Sequence, residues 1–246
     1  SANELVNKLR SGDQDPVRVV IQSVRTPEEL AGMVGRQLEA DSTMLIRAFQ
    51  DQKLADSLGF NEHTFRTMFI PNTYEFWWNT DAQQFVRRMA EEYRKVWNDD
   101  RKEKAAQLGL SASEVVTLAS IVHAETAKRD EAPKVAGLYL NRIRIGMALQ
   151  ADPTLIWAAG DFSIKRVLNV HKTIDSPYNT YMYPGLPPGP IRYPELNYID
   201  AVLNADTHAY LYMCAKADFS GYHHFSSSYE QHLQYAREYQ RAISNR

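Results

Sequence analysis

A carboxylate on a greasy helix face is the residue in this sequence best placed to do chemistry. Ser111 to Arg129, SASEVVTLASIVHAETAKR, predicts one amphipathic helix in which Leu118, Ile121, Val122 and Glu125 share a stripe. Desolvation there disfavours the charged form and raises the carboxyl pKa. An acid so placed keeps its proton near neutral pH and can donate it. The position also suits a glutamate at the edge of the stripe, ion-paired or reaching water, and spacing alone leaves both readings open. The other polar residues take lesser roles. Ser111 and Glu114 have the spacing of a capping box. His123 falls almost opposite Glu125 on the wheel, facing solvent.

Two further stretches carry groups suited to a polar ligand. Residues 174–194, IDSPYNTYMYPGLPPGPIRYP, form a long loop whose tyrosines argue for order and whose length argues for function. Asn179, Thr180 and Tyr181 offer donors and acceptors for sugar hydroxyls and amides. Residues 65–78, FRTMFIPNTYEFWW, place Phe69, Tyr74, Phe76, Trp77 and Trp78 around a Pro-Asn-Thr turn. They predict either a hydrophobic core or hairpin, or an aromatic wall against sugar faces. Asp152 before Pro153 reads first as a helix N-cap and second as a catalytic acid.

Other chemistries are excluded by pattern. No G-x-S-x-G elbow, phosphate loop or dinucleotide glycine fingerprint occurs. His223 and His224 are adjacent in a predicted strand, point to opposite faces and cannot share a metal, so no metal site is expected. The one cysteine, Cys214, rules out an internal disulfide framework and reads as a small hydrophobe. A net charge of -2 gives no global pull on nucleic acid or anionic lipid. No run approaches the roughly 18 apolar residues of a membrane span, and no signal peptide is present. The abrupt opening Ser1-Ala2-Asn3 leads us to expect a natural N-terminus further upstream.

The elements that must position these residues predict an α+β chain. A helix end at residues 4–12 is followed by a strand from Val17 to Ser23. Helices follow from Thr26 to Glu39 and from Asp41 or Ser42 to Gln52. A long polar helix covers Asp81 to Gln107, and another covers Ala132 or Pro133 to Ile145. A short helix at Asn197–Asn204, two strands around Gly221 and a last helix at Tyr229–Ile243 complete the chain.

The segments LASIVHAETA, NRIRIGMALQADPT, SPYNTYMYPGLPPGPI and YLYMCAKADFSGYHHFSSSYEQH resemble, in order and spacing, the MltG (YceG-like) family of bacterial endolytic murein transglycosylases. The resemblance implies that Glu125, the glutamate before threonine in the A-S-I-V-x-x-E-T motif, is the catalytic acid. Many relatives carry a second glutamate where this chain has His123. It further implies that Gln150, Asp152, Thr154, Tyr178, Asn179, Thr180 and Tyr181 line a substrate cleft, with no cofactor. Residues 1–78 would be a LysM-like β-α-α subdomain with an aromatic junction. Residues 79–246 would be a mainly helical catalytic domain with a short β element. The implied reaction cuts MurNAc–GlcNAc bonds within glycan strands and leaves 1,6-anhydro-MurNAc ends, with Glu125 acting as acid and then as base. Such an activity would limit the length of nascent strands. A glycan hydrolase and a non-catalytic glycan-binding scaffold are the alternatives. The implied partners are peptidoglycan strands and peptidoglycan synthases. The implied location is the inner membrane, through an N-terminal helix outside this chain, with the catalytic part in the periplasm.

Overall fold

The structure, a computed structural model, describes residues 2–12 and 14–245. These form two compact units, residues 1–94 and 95–246. The first contains α1 (Ala2–Ser11), β1 (Val17–Ile21), α2 (Pro27–Gly35), α3 (Ser42–Phe49), α4 (Gln52–Leu58), β2 (Asn72–Phe76) and most of α5 (Ala82–Val96). The second contains α6 (Asp99–Leu108), α7 (Ala112–Glu125), α8 (Ala132–Arg144), α9 (Asp152–Ala159), α10 (Leu196–Leu203), β3 (Tyr212–Ala215), β4 (His223–Ser226) and α11 (Tyr229–Ser244).

In the first unit β1 and β2 pair antiparallel, from Val17 opposite Phe76 to Ile21 opposite Asn72. The expected β-α-α unit is therefore closed by a second strand, which the aromatic run had concealed. Its alternation is visible in hindsight, because Tyr74 and Phe76 face inward while Asn72, Thr73 and Glu75 are exposed. Phe69 stacks on Phe85 with centroids 6.3 Å apart, and Phe76 lies 5.1 Å from Phe85. Three of the five aromatic residues are thus core, whereas Trp77 and Trp78 remain 50% and 55% exposed. The helix expected to reach Glu39 ends at Gly35, and the one expected to reach Gln52 ends at Phe49. Asp51 then starts α4 by accepting a hydrogen bond from the Leu54 amide at 3.1 Å.

The second unit is built around α7. Every residue from Val115 to Val122 is buried, so this helix is covered all round and is not the one-faced helix its stripe predicted. Its start is as expected, with Ser111 and Glu114 in a reciprocal capping box. Its end is not, for it stops at Glu125, four residues short of Arg129. Thr126 takes an extended conformation (φ -137°, ψ 135°), and its hydroxyl accepts from the Lys128 amide while donating to Glu131 at 3.2 Å. The long polar helix is also interrupted. Asn98 caps α6 through the Arg101 amide, and the Arg101 guanidinium reaches Asp200 on α10 through two bonds of 2.9 and 3.1 Å.

Gly137 marks a close approach within this unit. A Cβ there would meet the Asp206 carbonyl oxygen and lie 2.8 Å from the His208 ring nitrogen. Gly137→Ala should therefore destabilise the protein by about 1–3 kcal/mol, read as an earlier urea or thermal transition. An unchanged midpoint would show that residues 206–208 give way freely.

Candidate active site

Glu125 is the last residue of α7, at the end of a helix where the backbone dipole disfavours a negative charge. Its carboxyl is set below the surface and accepts a hydrogen bond from the Tyr139 hydroxyl of α8 at 2.7 Å. Burial raises its pKa to about 7, the Tyr139 bond opposes that rise, the nearby Asp152 charge adds to it, and His223 and Arg142 oppose it. The acid is therefore poised to exchange a proton near neutrality.

Tyr139→Phe removes the Tyr139 hydrogen bond, which favours the carboxylate. Glu125 should then hold its proton to higher pH, seen as an upward move of its titration by NMR with carbon-13 on the carboxyl. No movement would mean that the Tyr139 hydroxyl does not govern the acid.

Two cavities meet at this carboxyl. One, of about 410 Å3, is lined by Glu125, Tyr139, Arg142, Gln150, Asp152 and Tyr181, and by the inner face of the β3–β4 hairpin, including His223. The other, of about 550 Å3, shares Glu125 and Asp152 and is rimmed by Lys165 and Arg166. A chain-like ligand crossing from one to the other would pass the acid, with polymer on both sides of it.

The expected cleft residues divide into two groups. Gln150, Asp152 and Tyr181 line the first cavity. Asp152 is not the N-cap that the Asp-Pro pair predicted. That place belongs to Ala151, and Asp152 is the first helical residue of α9. Its carboxylate is thereby free to accept the Tyr181 hydroxyl at 2.5 Å. Gln150 has a left-handed backbone (φ 49°) and donates its amide to the Thr180 carbonyl at 3.0 Å, which turns the chain into α9.

Thr154, Asn179 and Thr180 are buried and bonded inside the fold. Thr154 donates to the Ala151 carbonyl at 2.7 Å, and its hydroxyl lies 2.8 Å from that of Thr180. The Asn179 side-chain amide spans its own loop, donating to the Lys172 and Ile174 carbonyls and accepting from the Tyr181 amide. These residues set the loop so that Tyr181 can reach Asp152. Tyr178 packs with its ring 5.9 Å from that of Trp157 and lines neither cavity.

Sequence reasoning missed Tyr139, Arg142 and His223. Tyr139 and Arg142 stand three apart on α8, a spacing that puts them on one helix face, and this was the available signal. The Arg142 guanidinium is buried and donates to the backbone carbonyls of Leu211 at 2.7 Å and Leu149 at 2.5 Å. It thereby ties the approach to the hairpin onto α8. His123 was expected to face solvent, but its ring stacks on Tyr198 at 3.9 Å. Burial, with Arg192 and Arg129 nearby, lowers its pKa to about 3. It lines neither cavity, and it is neutral because α10 covers it. His224 stacks on Tyr235 of α11, away from the face where His223 lies. Cys214 is half-buried, and burial raises its thiol pKa. Among the described residues no three metal-ligating side chains cluster, and no single helix is long and apolar enough to cross a membrane.

The α+β fold thus sets a glutamate with a pKa raised to about 7 where two cavities meet, the arrangement of a candidate acid beside an elongated cleft. The chain belongs to the YceG-like family, whose model matches residues 1–238. It is 32% identical over 181 residues to the endolytic murein transglycosylase of Bacillus subtilis, covering 71% of this chain and 48% of that protein. It is 27% identical to the endolytic murein transglycosylase of Streptococcus pneumoniae strain R6, covering 94% of this chain and 47% of that protein. The chain thus spans about half the length of the curated relatives it matches. A crystal structure of a YceG-like protein from Listeria monocytogenes has the same fold, with a TM-score of 0.76 at 24% identity over 94% of this chain and 80% of that one.

Proposed function

We propose that this chain is the catalytic portion of an endolytic peptidoglycan lytic transglycosylase. The observation that carries the reading is Glu125, an acid with a pKa of about 7 that lies beside Asp152 where two cavities meet. Family membership and the names of the relatives supply the substrate class. A strand lying through both cavities would be cut internally, which is what an endolytic enzyme requires.

In this reading the protonated Glu125 donates to the oxygen linking MurNAc to GlcNAc, and an oxocarbenium-like state develops at the MurNAc anomeric carbon. The same sugar's 6-hydroxyl then attacks that carbon and closes a 1,6-anhydro ring. Its proton passes to a base on the cavity wall, for which Glu125, now ionised, is one candidate. No water is consumed.

Residues 17–76, with two paired strands around helices, fit the LysM-like glycan-binding module of the family resemblance. A membrane helix outside these residues, an inner-membrane and periplasmic location, and peptidoglycan synthases as partners belong to the reading through that resemblance alone.

Mass spectrometry of purified glycan strands digested by the protein tests the reaction. Anhydro-MurNAc ends are expected. Reducing ends, heavier by one water per cut, would indicate a hydrolase, and bound but uncut strands would indicate a scaffold.

A further inference from the structure

The first cavity contains an oriented imidazole that the proposed reaction has not used. Glu131, just before α8, is buried, and burial pushes its pKa up. The hydrogen bonds from His223 outweigh that effect and hold the carboxyl below its ordinary value, so it is ionised. One carboxylate oxygen accepts the His223 backbone amide at 2.8 Å. The other lies 2.8 Å from His223 Nδ1 and accepts the Thr126 hydroxyl at 3.2 Å. An ionised carboxylate can only accept, so Nδ1 must carry the hydrogen. In the neutral ring Nε2 is then the nitrogen with the lone pair, and it makes no hydrogen bond among the described residues. The His223 side chain is 15% exposed and that of Glu131 is 5% exposed. His223 nevertheless lines the cavity that holds the Glu125 carboxyl.

This arrangement has the parts of an activated base. A carboxylate fixes the tautomer and orientation of an imidazole, aims its free nitrogen at the reaction space, and stabilises the cation formed on protonation. Thr126 joins the two halves of the site, because it ends the helix that carries Glu125 and its hydroxyl holds Glu131. A shift of either element would disturb both.

We propose that His223 is a second catalytic residue, the base that takes the proton from the MurNAc 6-hydroxyl, with Glu131 as its positioning residue. The inference rests on the transglycosylase reading above. The Glu125 proton goes to the leaving GlcNAc oxygen as the bond from that oxygen to the anomeric carbon breaks. The 6-oxygen forms the new bond to that carbon, and its proton goes to His223 Nε2. The imidazolium then returns a proton to the Glu125 carboxylate in the same cavity, so both groups regain their starting states. Sharing the two transfers relieves Glu125 of serving both the leaving oxygen and the 6-hydroxyl.

The test uses His223→Asn, whose side-chain amide can still donate to Glu131 from near the Nδ1 position but offers no nitrogen base, together with His223→Ala. For His223→Asn, an unchanged melting midpoint is expected with a kcat for anhydro ends about 10²–10³-fold lower. KM should stay within a few-fold of the unmodified protein, and a larger share of cuts should end in reducing MurNAc as water captures the anomeric carbon. Added imidazole should restore part of the anhydro product in His223→Ala. A His223→Asn rate within about threefold of the unmodified protein, or a loss confined to KM, would overturn the proposal. Failure of the transglycosylase reading itself would show separately, as absence of anhydro ends from the unmodified protein.

Discussion

Glu125→Gln should reduce release of anhydro-muropeptides from purified glycan strands by at least about 10³-fold while leaving strand binding intact. The amide preserves the shape of the carboxyl and its place beside the Tyr139 hydroxyl, but it has no proton acidic enough to give to a leaving oxygen. The same acid sets the pH dependence. In the proposed reaction Glu125 works protonated, and its pKa of about 7 means that the rate should fall as pH rises through that value. A Gln variant that cuts at the normal rate, or an unmodified enzyme indifferent to pH between roughly 6 and 9, would remove Glu125 from the acid role.

The same substitution should make the protein more stable above neutral pH. The folded protein holds the Glu125 proton to a pKa of about 7, against an ordinary value of 4.5. Between those values the folded state binds more protons than the unfolded one, so stability must fall as pH rises through that window. Below about 4.5 both states are protonated and no such cost exists; above about 7 the cost is complete. A change of this size is worth about 3 kcal/mol. Glutamine carries no charge at any pH, so Glu125→Gln should escape the decline. Urea transitions at pH 5 and pH 8 measure it, with the variant expected to gain over the unmodified protein only at the higher value. Equal differences at both pH values would mean that the carboxyl is not desolvated in the folded state. A gain in stability with loss of activity is expected of an acid held in an unfavourable place for its chemistry.

Much of the local structure was legible along the chain. The capping box at Ser111 and Glu114, the strand at Val17 and the helix from Ala132 each have a cause within a few residues, and each stands where expected. Three of the departures have a distant residue beside them. Asn98 breaks a helix that periodicity runs through by capping α6 through the Arg101 amide. The Arg101 side chain is held by Asp200 from a distant part of the chain. Asp152 is the first helical residue of α9, with Ala151 at the cap, and its carboxylate accepts the Tyr181 hydroxyl. His123 faces α10, where solvent was expected, since its ring meets Tyr198. In each case the distant partner is a contact that local periodicity does not report.

The sequence by itself determined the family and a candidate acid: a glutamate on an apolar helix stripe, in register with several motifs of one kind of enzyme. Only the tertiary structure decided what surrounds that acid. It ended α7 at Glu125 through Thr126 and brought Tyr139 and Arg142 across from α8. It also carried His223 in from the distant hairpin, held by a buried Glu131. The physical reason is range. Periodicity reports which face of a helix is buried, whereas the proton affinity of a buried group depends on charges and hydrogen bonds that packing brings from anywhere in the chain.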